Sequence, residues 1–115
     1  MNQGIKTIIY PAKDITRAKT LFSRFLGVEP YVDGPYYVGF KLGDQEIGLD
    51  PNGHKTGPVG YYHVSNIEES LQSLLGAGAQ IEQKVRDVGG GKLIATARDA
   101  KGNLVGLIQL PGENL

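Results

Sequence analysis

Apolar residues follow strand-like and helix-like spacings in turn along this chain, and the first half predicts the order βαβββ. The stretch "IKTIIYPA" (5–12) is rich in β-branched residues and predicts a strand, after which Asp14 offers an N-cap to a helix that Gly27 closes. The predicted buried stripe of this helix comprises Ile15, Ala18, Leu21, Phe22, Phe25 and Leu26. Three short strand candidates follow between turn signals, namely "VEPYV" (28–32), "YYVGFKL" (36–42) and "EIGLD" (46–50).

The second half repeats that order. The stretch "VGYYHV" (59–64) predicts a strand, Ser65 or Asn66 caps the next helix, and Gly76 and Gly78 end it. The apolar stripe of this helix consists of Ile67, Leu71, Leu74 and Leu75, and three further strands are predicted in "AQIEQKVRDV" (79–88), "GKLIATARD" (91–99) and "NLVGLIQL" (103–110). An internal repeat of this length predicts one α+β domain over 1–115, with module one at 1–51, a polar linker at 52–58 and module two at 59–115.

Composition narrows the classes of partner. The chain has 12 Lys plus Arg and 12 Asp plus Glu residues, so it carries no net positive charge that would attract nucleic acid or an acidic membrane. The chain has no cysteine, which excludes disulfides, thiolate metal sites and a cysteine nucleophile. Neither an apolar run of signal-peptide length nor one of membrane-spanning length is present, so we expect a cytoplasmic protein.

The repeat and two local motifs resemble the vicinal oxygen chelate superfamily, which includes glyoxalase I, the bleomycin-resistance proteins and the extradiol dioxygenases. The motifs are "DITRAKTLFSRFLG" (14–27), at the start of the first helix, and "DAKGNLVGL" (99–107), near the end of the chain. The resemblance covers nearly the whole chain. It implies that the two βαβββ modules form a cup-shaped incomplete barrel with the helices outside.

In the enzymes of that superfamily, one metal ion is bound by residues from the first and last strand of each module. Carried over position by position, the resemblance puts Thr7, Gly48, Val59 and Gly106 at the ligand positions. These side chains cannot hold a divalent ion, because a stable site needs several convergent imidazole, carboxylate or carbonyl ligands. We therefore expect no metal and no cofactor. The two glycines either mark a bend of the strand or leave room for a ligand against the backbone.

Strand alternation predicts which side chains share the cavity face with those four positions. The third strand adds either Tyr37 or Phe40, depending on its phase. The predicted ligand-binding set is Thr7, Ile9, Tyr37, Gly48, Asp50, Val59, Tyr61, His63, Gly106 and Ile108. Such a wall is mostly apolar and aromatic with a few polar points, which is typical of a small-molecule site.

The favoured hypothesis is a metal-free homodimer that sequesters a small aromatic or amphipathic molecule, like the bleomycin-resistance branch. One alternative is a metal-independent isomerase or lyase, with His63 as general base and Tyr61 or Thr7 as proton donor. Two others are a metal-dependent glyoxalase-like enzyme, which the ligand positions disfavour, and a module whose cavity has collapsed and which serves protein contact. The stretch "VGGGK" (88–92) lacks the spacing of a phosphate-binding loop and predicts a hairpin turn.

Overall fold

The computed structural model describes residues 2–112, and this part of the chain contains eight strands and two helices. In chain order they are β1 (Asn2–Pro11), α1 (Ile15–Leu26), β2 (Val32–Asp33), β3 (Val38–Leu42), β4 (Gln45–Asp50), β5 (Val59–Val64), α2 (Ile67–Gly76), β6 (Gln80–Asp87), β7 (Leu93–Arg98) and β8 (Leu104–Gln109). The order βαβββ therefore occurs twice. This confirms the predicted α+β class and its two βαβββ modules.

The described chain forms two compact units. Residues 6–59 make up the N-terminal unit, and residues 2–5 together with 60–112 make up the C-terminal unit. The first residues of β1 thus belong to the C-terminal unit, where the Ile5 side chain packs against Gly60 of β5. The predicted boundaries of the modules, in contrast, assigned all of β1 to module one.

In the N-terminal unit the strands lie in the order β2-β3-β4-β1, and β1 runs parallel to β4. One face of this sheet is covered by α1. Its core consists of the buried side chains Val38, Phe40 and Leu49, against which Ile15, Ala18, Phe22 and Leu26 of α1 pack. The Asp14 side chain accepts a hydrogen bond from the Arg17 N–H at 3.1 Å, and Gly27 ends the helix with a positive φ of 74°.

Two members of the predicted stripe of α1 do not lie in this core. Leu21 is 64% exposed and Phe25 is 79% exposed. At 100° per residue, Ile15, Phe22 and Leu26 fall within about 40° of one another, whereas Leu21 lies about 100° from Phe22. The sequence pattern therefore described a stripe wider than the sheet covers, and the prediction was wrong for these two residues.

In the C-terminal unit the strands lie in the order β5-β8-β7-β6, and β5 runs parallel to β8. The core on the α2 face consists of Val64, Ile67, Leu71, Ala95, Ala97 and Leu107. Asn66, not Ser65, caps α2, because its side chain accepts a hydrogen bond from the Glu69 N–H at 3.1 Å. The Gln109 side chain satisfies a second free donor of this helix end, the Ile67 N–H, at 2.8 Å.

The strand predicted at 28–32 and the glycine-rich stretch at 88–92 follow the sequence predictions to different degrees. The strand predicted at 28–32 is reduced to Val32–Asp33, because Pro30 has no N–H for a ladder. The "VGGGK" stretch is a hairpin turn, as predicted: Gly89, Gly90 and Gly91 all have positive φ, and the Val88 N–H donates to the Lys92 carbonyl at 2.9 Å. Neither helix of the described residues has the length and apolar character needed to cross a membrane.

Candidate functional site

The candidate site lies in the N-terminal unit, on the sheet face opposite α1. In the strand registers Ile9 pairs with Gly48 and Gly48 with Gly39, so these three residues form one row across β1, β4 and β3. The next row on the same face contains Thr7 and Glu46. Two glycines side by side on neighbouring strands leave a part of this face without side chains of its own.

Tyrosine rings cover this bare part of the sheet. A Cβ atom built on Gly48 would meet the Tyr37 hydroxyl, and it would lie 2.7 Å from Tyr37 Cε1 and 2.6 Å from Ile9 Cδ1. A Cβ built on Gly39 would lie 3.0 Å from both the Tyr31 and the Tyr37 rings. Glycine at these positions therefore allows the rings to approach the backbone closely.

The two phenols converge on one carboxylate. The Tyr37 hydroxyl donates to Glu46 Oε2 at 2.5 Å. Burial raises the pKa of Tyr37 well above its usual range, and the hydrogen bond and negative charge of Glu46 raise it further. The same causes, in the same order, raise the pKa of Tyr31. These three residues are called the Tyr31–Tyr37–Glu46 cluster below.

This arrangement favours binding over proton abstraction by a phenol. A tyrosine is neutral at physiological pH even at its usual pKa of about 10, and the raised pKa values of Tyr31 and Tyr37 move phenolate formation still further from that pH. Tyr31 is 48% exposed, so part of its side chain is accessible to solvent, although the Lys41 ammonium lies over its ring. The cluster offers aromatic surface next to a half-buried carboxylate, a combination that suits recognition of a small molecule.

Asp50, at the end of β4, has a structural contact. Its side chain accepts a hydrogen bond from the Asn52 N–H at 2.8 Å. Its carbonyl oxygen accepts from the N–H groups of Ala12 and Gly53 at 2.9 and 3.0 Å. Asp50 therefore orders the turn that leaves β4, and its charge contributes only the smallest part of the raised pKa of Tyr37.

The C-terminal unit has an equivalent row with different side chains. Tyr61 pairs with Gly106 and Gly106 with Thr96, on the sheet face opposite α2. A Cβ on Gly106 would lie 2.6 Å from the Tyr61 ring and 2.9 Å from the Gly60 carbonyl oxygen. Here again a tyrosine ring lies directly on a glycine, but the ring comes from the neighbouring parallel strand.

The face of this second row is closed. Tyr61 is 5% exposed, His63 8% and Thr96 0%. The Thr96 hydroxyl has no hydrogen-bond partner among the described residues. His63 pairs with Ile108, which is also buried. A ligand would need a rearrangement to reach the imidazole of His63.

The predicted site residues thus fall into two groups. The N-terminal unit holds Thr7, Ile9, Tyr37, Gly48, Asp50 and Val59, and the C-terminal unit holds Tyr61, His63, Gly106 and Ile108. Of the two third-strand alternatives, Tyr37 lies on the face opposite α1, whereas Phe40 is in the core beneath α1.

The predicted set omitted three residues, Tyr31, Glu46 and Thr96. Glu46 could have been included, since it is two residues from Gly48 and so shares its face. The position of Tyr31 could not be found in this way, because the sequence placed it in a strand of the wrong length.

The positions at which the superfamily enzymes bind metal do not fit a metal ion here. Thr7 and Val59 supply no strong ligand, and tyrosine rings occupy the space beside Gly48 and Gly106. Within residues 2–112, no group of three or more His, Cys, Asp or Glu side chains is arranged to hold a metal. We therefore derive no step through a metal.

The fold is that of the glyoxalase/bleomycin-resistance/dioxygenase proteins. A member of that superfamily from Vibrio splendidus 12B01 superposes with a TM-score of 0.70 at 18% identity, covering 95% of this chain and 98% of that one. Methylmalonyl-CoA epimerase of Streptomyces coelicolor, solved in complex with 2-nitronate-propionyl-CoA, superposes with a TM-score of 0.75 at 11% identity. The match covers 97% of this chain and 100% of the epimerase chain. The predicted superfamily resemblance is confirmed at the level of the fold.

A third similar structure shows how little this fold says about activity. A protein from Legionella pneumophila, described as an NAD-dependent benzaldehyde dehydrogenase, superposes with a TM-score of 0.71 at 14% identity, covering 90% of this chain and 97% of that one. No family model matches the sequence, and no curated protein matches it either. The fold alone therefore does not define the activity, which depends on the side chains of the site.

Proposed function

We propose that this protein binds a small aromatic or amphipathic organic molecule without the help of a metal ion, on the sheet face that carries the Tyr31–Tyr37–Glu46 cluster. The observation that carries the proposal is the cluster itself: two neutral phenols and a half-buried carboxylate around a glycine pair, with Tyr31 48% exposed. Such a mixture of ring surface and fixed polar groups both attracts and orients a small ligand.

The similar structures support a ligand-binding function in general terms. The Streptomyces coelicolor epimerase is described in complex with an acyl-CoA compound, so this fold accommodates organic ligands. That protein is an enzyme, but the proposal here is limited to binding. A general base at His63 would have to act from a side chain that is only 8% exposed.

The proposal is tested by a thermal-shift screen of a library of small aromatic compounds, followed by calorimetry of each hit. Replacement of Tyr37 by Phe removes the hydroxyl that donates to Glu46, whereas Tyr36→Phe changes an adjacent residue that is 73% exposed. We expect Tyr37→Phe to weaken binding about tenfold and Tyr36→Phe to leave it unchanged. Equal effects of the two substitutions would place the ligand elsewhere.

Native mass spectrometry with elemental analysis tests the metal and the catalytic alternative. We expect no stoichiometric divalent ion, and we expect each bound compound to be recovered unchanged. A metal ion that chelator removes, or a converted ligand, would favour an enzyme. The same spectra report the oligomeric state, which we propose to be a homodimer of twice 12.4 kDa.

A further inference from the structure

Glu46 is an acidic residue that forms no ion pair with a described side chain. Its oxygens accept hydrogen bonds from tyrosine, and no ion pair joins it to a lysine, arginine or histidine among residues 2–112. The lysine opposite it in the register, Lys41, belongs to the neighbouring strand but forms no such pair. The cluster therefore has a net charge of one negative unit when Glu46 is ionised.

The phenols cannot remove this charge. The Tyr37 hydroxyl donates a hydrogen bond to the carboxylate, and both phenols are neutral at physiological pH, so neither supplies a positive charge. An anion that is partly removed from water attracts a cation more strongly than an exposed anion does. Lys41 lies opposite Glu46 in the strand register but forms no ion pair with it, so a cationic ligand can still pair with this carboxylate.

The aromatic part of the cluster attracts cations as well. The Lys41 ammonium lies over the Tyr31 ring, 5.0 Å from its centroid. This is the geometry of a cation–π contact, in which the negative ring face attracts the positive group. Lys41 is exposed, so this contact is open to competition from a cation in solution.

We propose that the Tyr31–Tyr37–Glu46 cluster recognises the protonated amine of a small, partly apolar ligand. The ammonium group donates to Glu46 and lies against a tyrosine ring, and the apolar part of the ligand covers the ring surface. Lys41 acts as an internal competitor for the Tyr31 ring. This inference rests on the proposed function and adds the charge of the ligand to it.

Three small aromatic probes test the sign of the charge: benzylamine, which is protonated at pH 7, its neutral isostere benzyl alcohol, and the anionic benzoate, which is of similar size. Binding is measured by titration calorimetry and by chemical-shift perturbation. We expect benzylamine to bind about tenfold or more tightly than either of the others, because a charge-assisted hydrogen bond is stronger than a neutral one. Equal binding of the amine and the alcohol would overturn the proposal.

Three variants locate the charge. Glu46→Gln keeps the shape and one acceptor, and we expect it to weaken benzylamine binding about tenfold while benzyl alcohol is unaffected. The matched control Asp44→Asn removes a negative charge from a residue outside the cluster, one that pairs with Lys6, and we expect less than about a twofold effect. Lys41→Met removes the exposed competitor and should strengthen benzylamine binding.

The outcomes separate this inference from the proposed function. If the library screen yields neutral or anionic ligands that Tyr37→Phe weakens, the binding function holds and the amine inference fails. If neither the probes nor any library compound binds, both fail. Should Glu46→Gln be unfolded by circular dichroism, Lys41→Met decides alone, and unchanged or weaker amine binding in that variant overturns the proposal.

Discussion

The two units place a glycine at the same point of their last strand and cover it in different ways. In the N-terminal unit the row reads Ile9, Gly48, Gly39, and in the C-terminal unit the equivalent row reads Tyr61, Gly106, Thr96. In the C-terminal unit, Tyr61 belongs to the row itself, and its ring covers Gly106. In the N-terminal unit, the smaller Ile9 leaves space over the glycines, and the rings of Tyr31 and Tyr37, which lie outside the row, occupy it. Glu46 lies beside these rings, and Tyr31 is partly exposed.

This difference distinguishes a buried, closed sheet face in the C-terminal unit from the candidate binding face in the N-terminal unit. The C-terminal face is closed, since Tyr61, His63 and Thr96 are each at most 8% exposed. The N-terminal face keeps Tyr31 half exposed and Glu46 partly exposed. The same backbone pattern therefore supports a core in one unit and a candidate site in the other.

The largest expected effect compares the two helices. Leu71 of α2 is 5% exposed and Leu21 of α1 is 64% exposed. We expect Leu71→Ala to lower the free energy of unfolding by about 3 kcal/mol, because it leaves a cavity in the core. Leu21→Ala should change it by less than about 0.5 kcal/mol. Urea unfolding measures both, and a cost at Leu21 comparable to that at Leu71 would mean that the face around Leu21 is covered in solution.

The second prediction compares the two glycines. Gly106→Ala meets the Gly60 carbonyl oxygen as well as a buried ring, and backbone cannot move aside easily, so we expect a loss of about 3 kcal/mol. Gly48→Ala meets only the side chains of Tyr37 and Ile9, and the Tyr37 ring can move, so we expect about 1 kcal/mol. Gly48→Ala should also abolish ligand binding, whereas a variant that binds normally would show that Tyr37 need not lie on Gly48.

The third prediction concerns the unsatisfied hydroxyl of the closed face. Thr96→Val replaces a buried hydroxyl without a described partner by a methyl group of similar volume, so we expect a gain of about 1 kcal/mol. The matched control Thr96→Ser keeps the hydroxyl and loses the methyl group, and it should cost about 1 kcal/mol. A loss of stability in the valine variant would reveal a hydrogen-bonding partner for Thr96.

The smallest effect concerns pH. Because the folded-state pKa of Tyr37 lies above its unfolded value of about 10, the folded state retains this proton longer than the unfolded state does. The stability due to the buried phenol is complete below about pH 10 and is lost as the pH rises through the folded pKa. Tyr37→Phe should therefore show a shallower loss of stability above about pH 10, measured by urea unfolding, and an equally steep loss would contradict the raised pKa.

The sequence predicted most of the fold and only part of the candidate site. Helix caps and turn residues are local signals, so Asp14, Gly27 and Asn66 could be identified without tertiary information. The closeness of Tyr31, Tyr37 and Glu46 depends on the register of three strands and on the positions of two rings. The spacing of apolar residues determines neither of these. Leu21 and Phe25 show that this spacing also overestimates how many residues of a helix are buried against the sheet.

The ring lying on Gly48 links three positions in evolution. A side chain larger than a methyl group at position 48 needs a smaller residue at position 37 or a shift of Ile9, because the Tyr37 and Ile9 side chains now occupy the space beside the Gly48 backbone. A carboxylate could therefore be introduced at this position only together with a change at Tyr37 or Ile9. Substitutions at 9, 37 and 48 should accordingly appear together in descendants of this chain whenever position 48 gains a side chain larger than a methyl group.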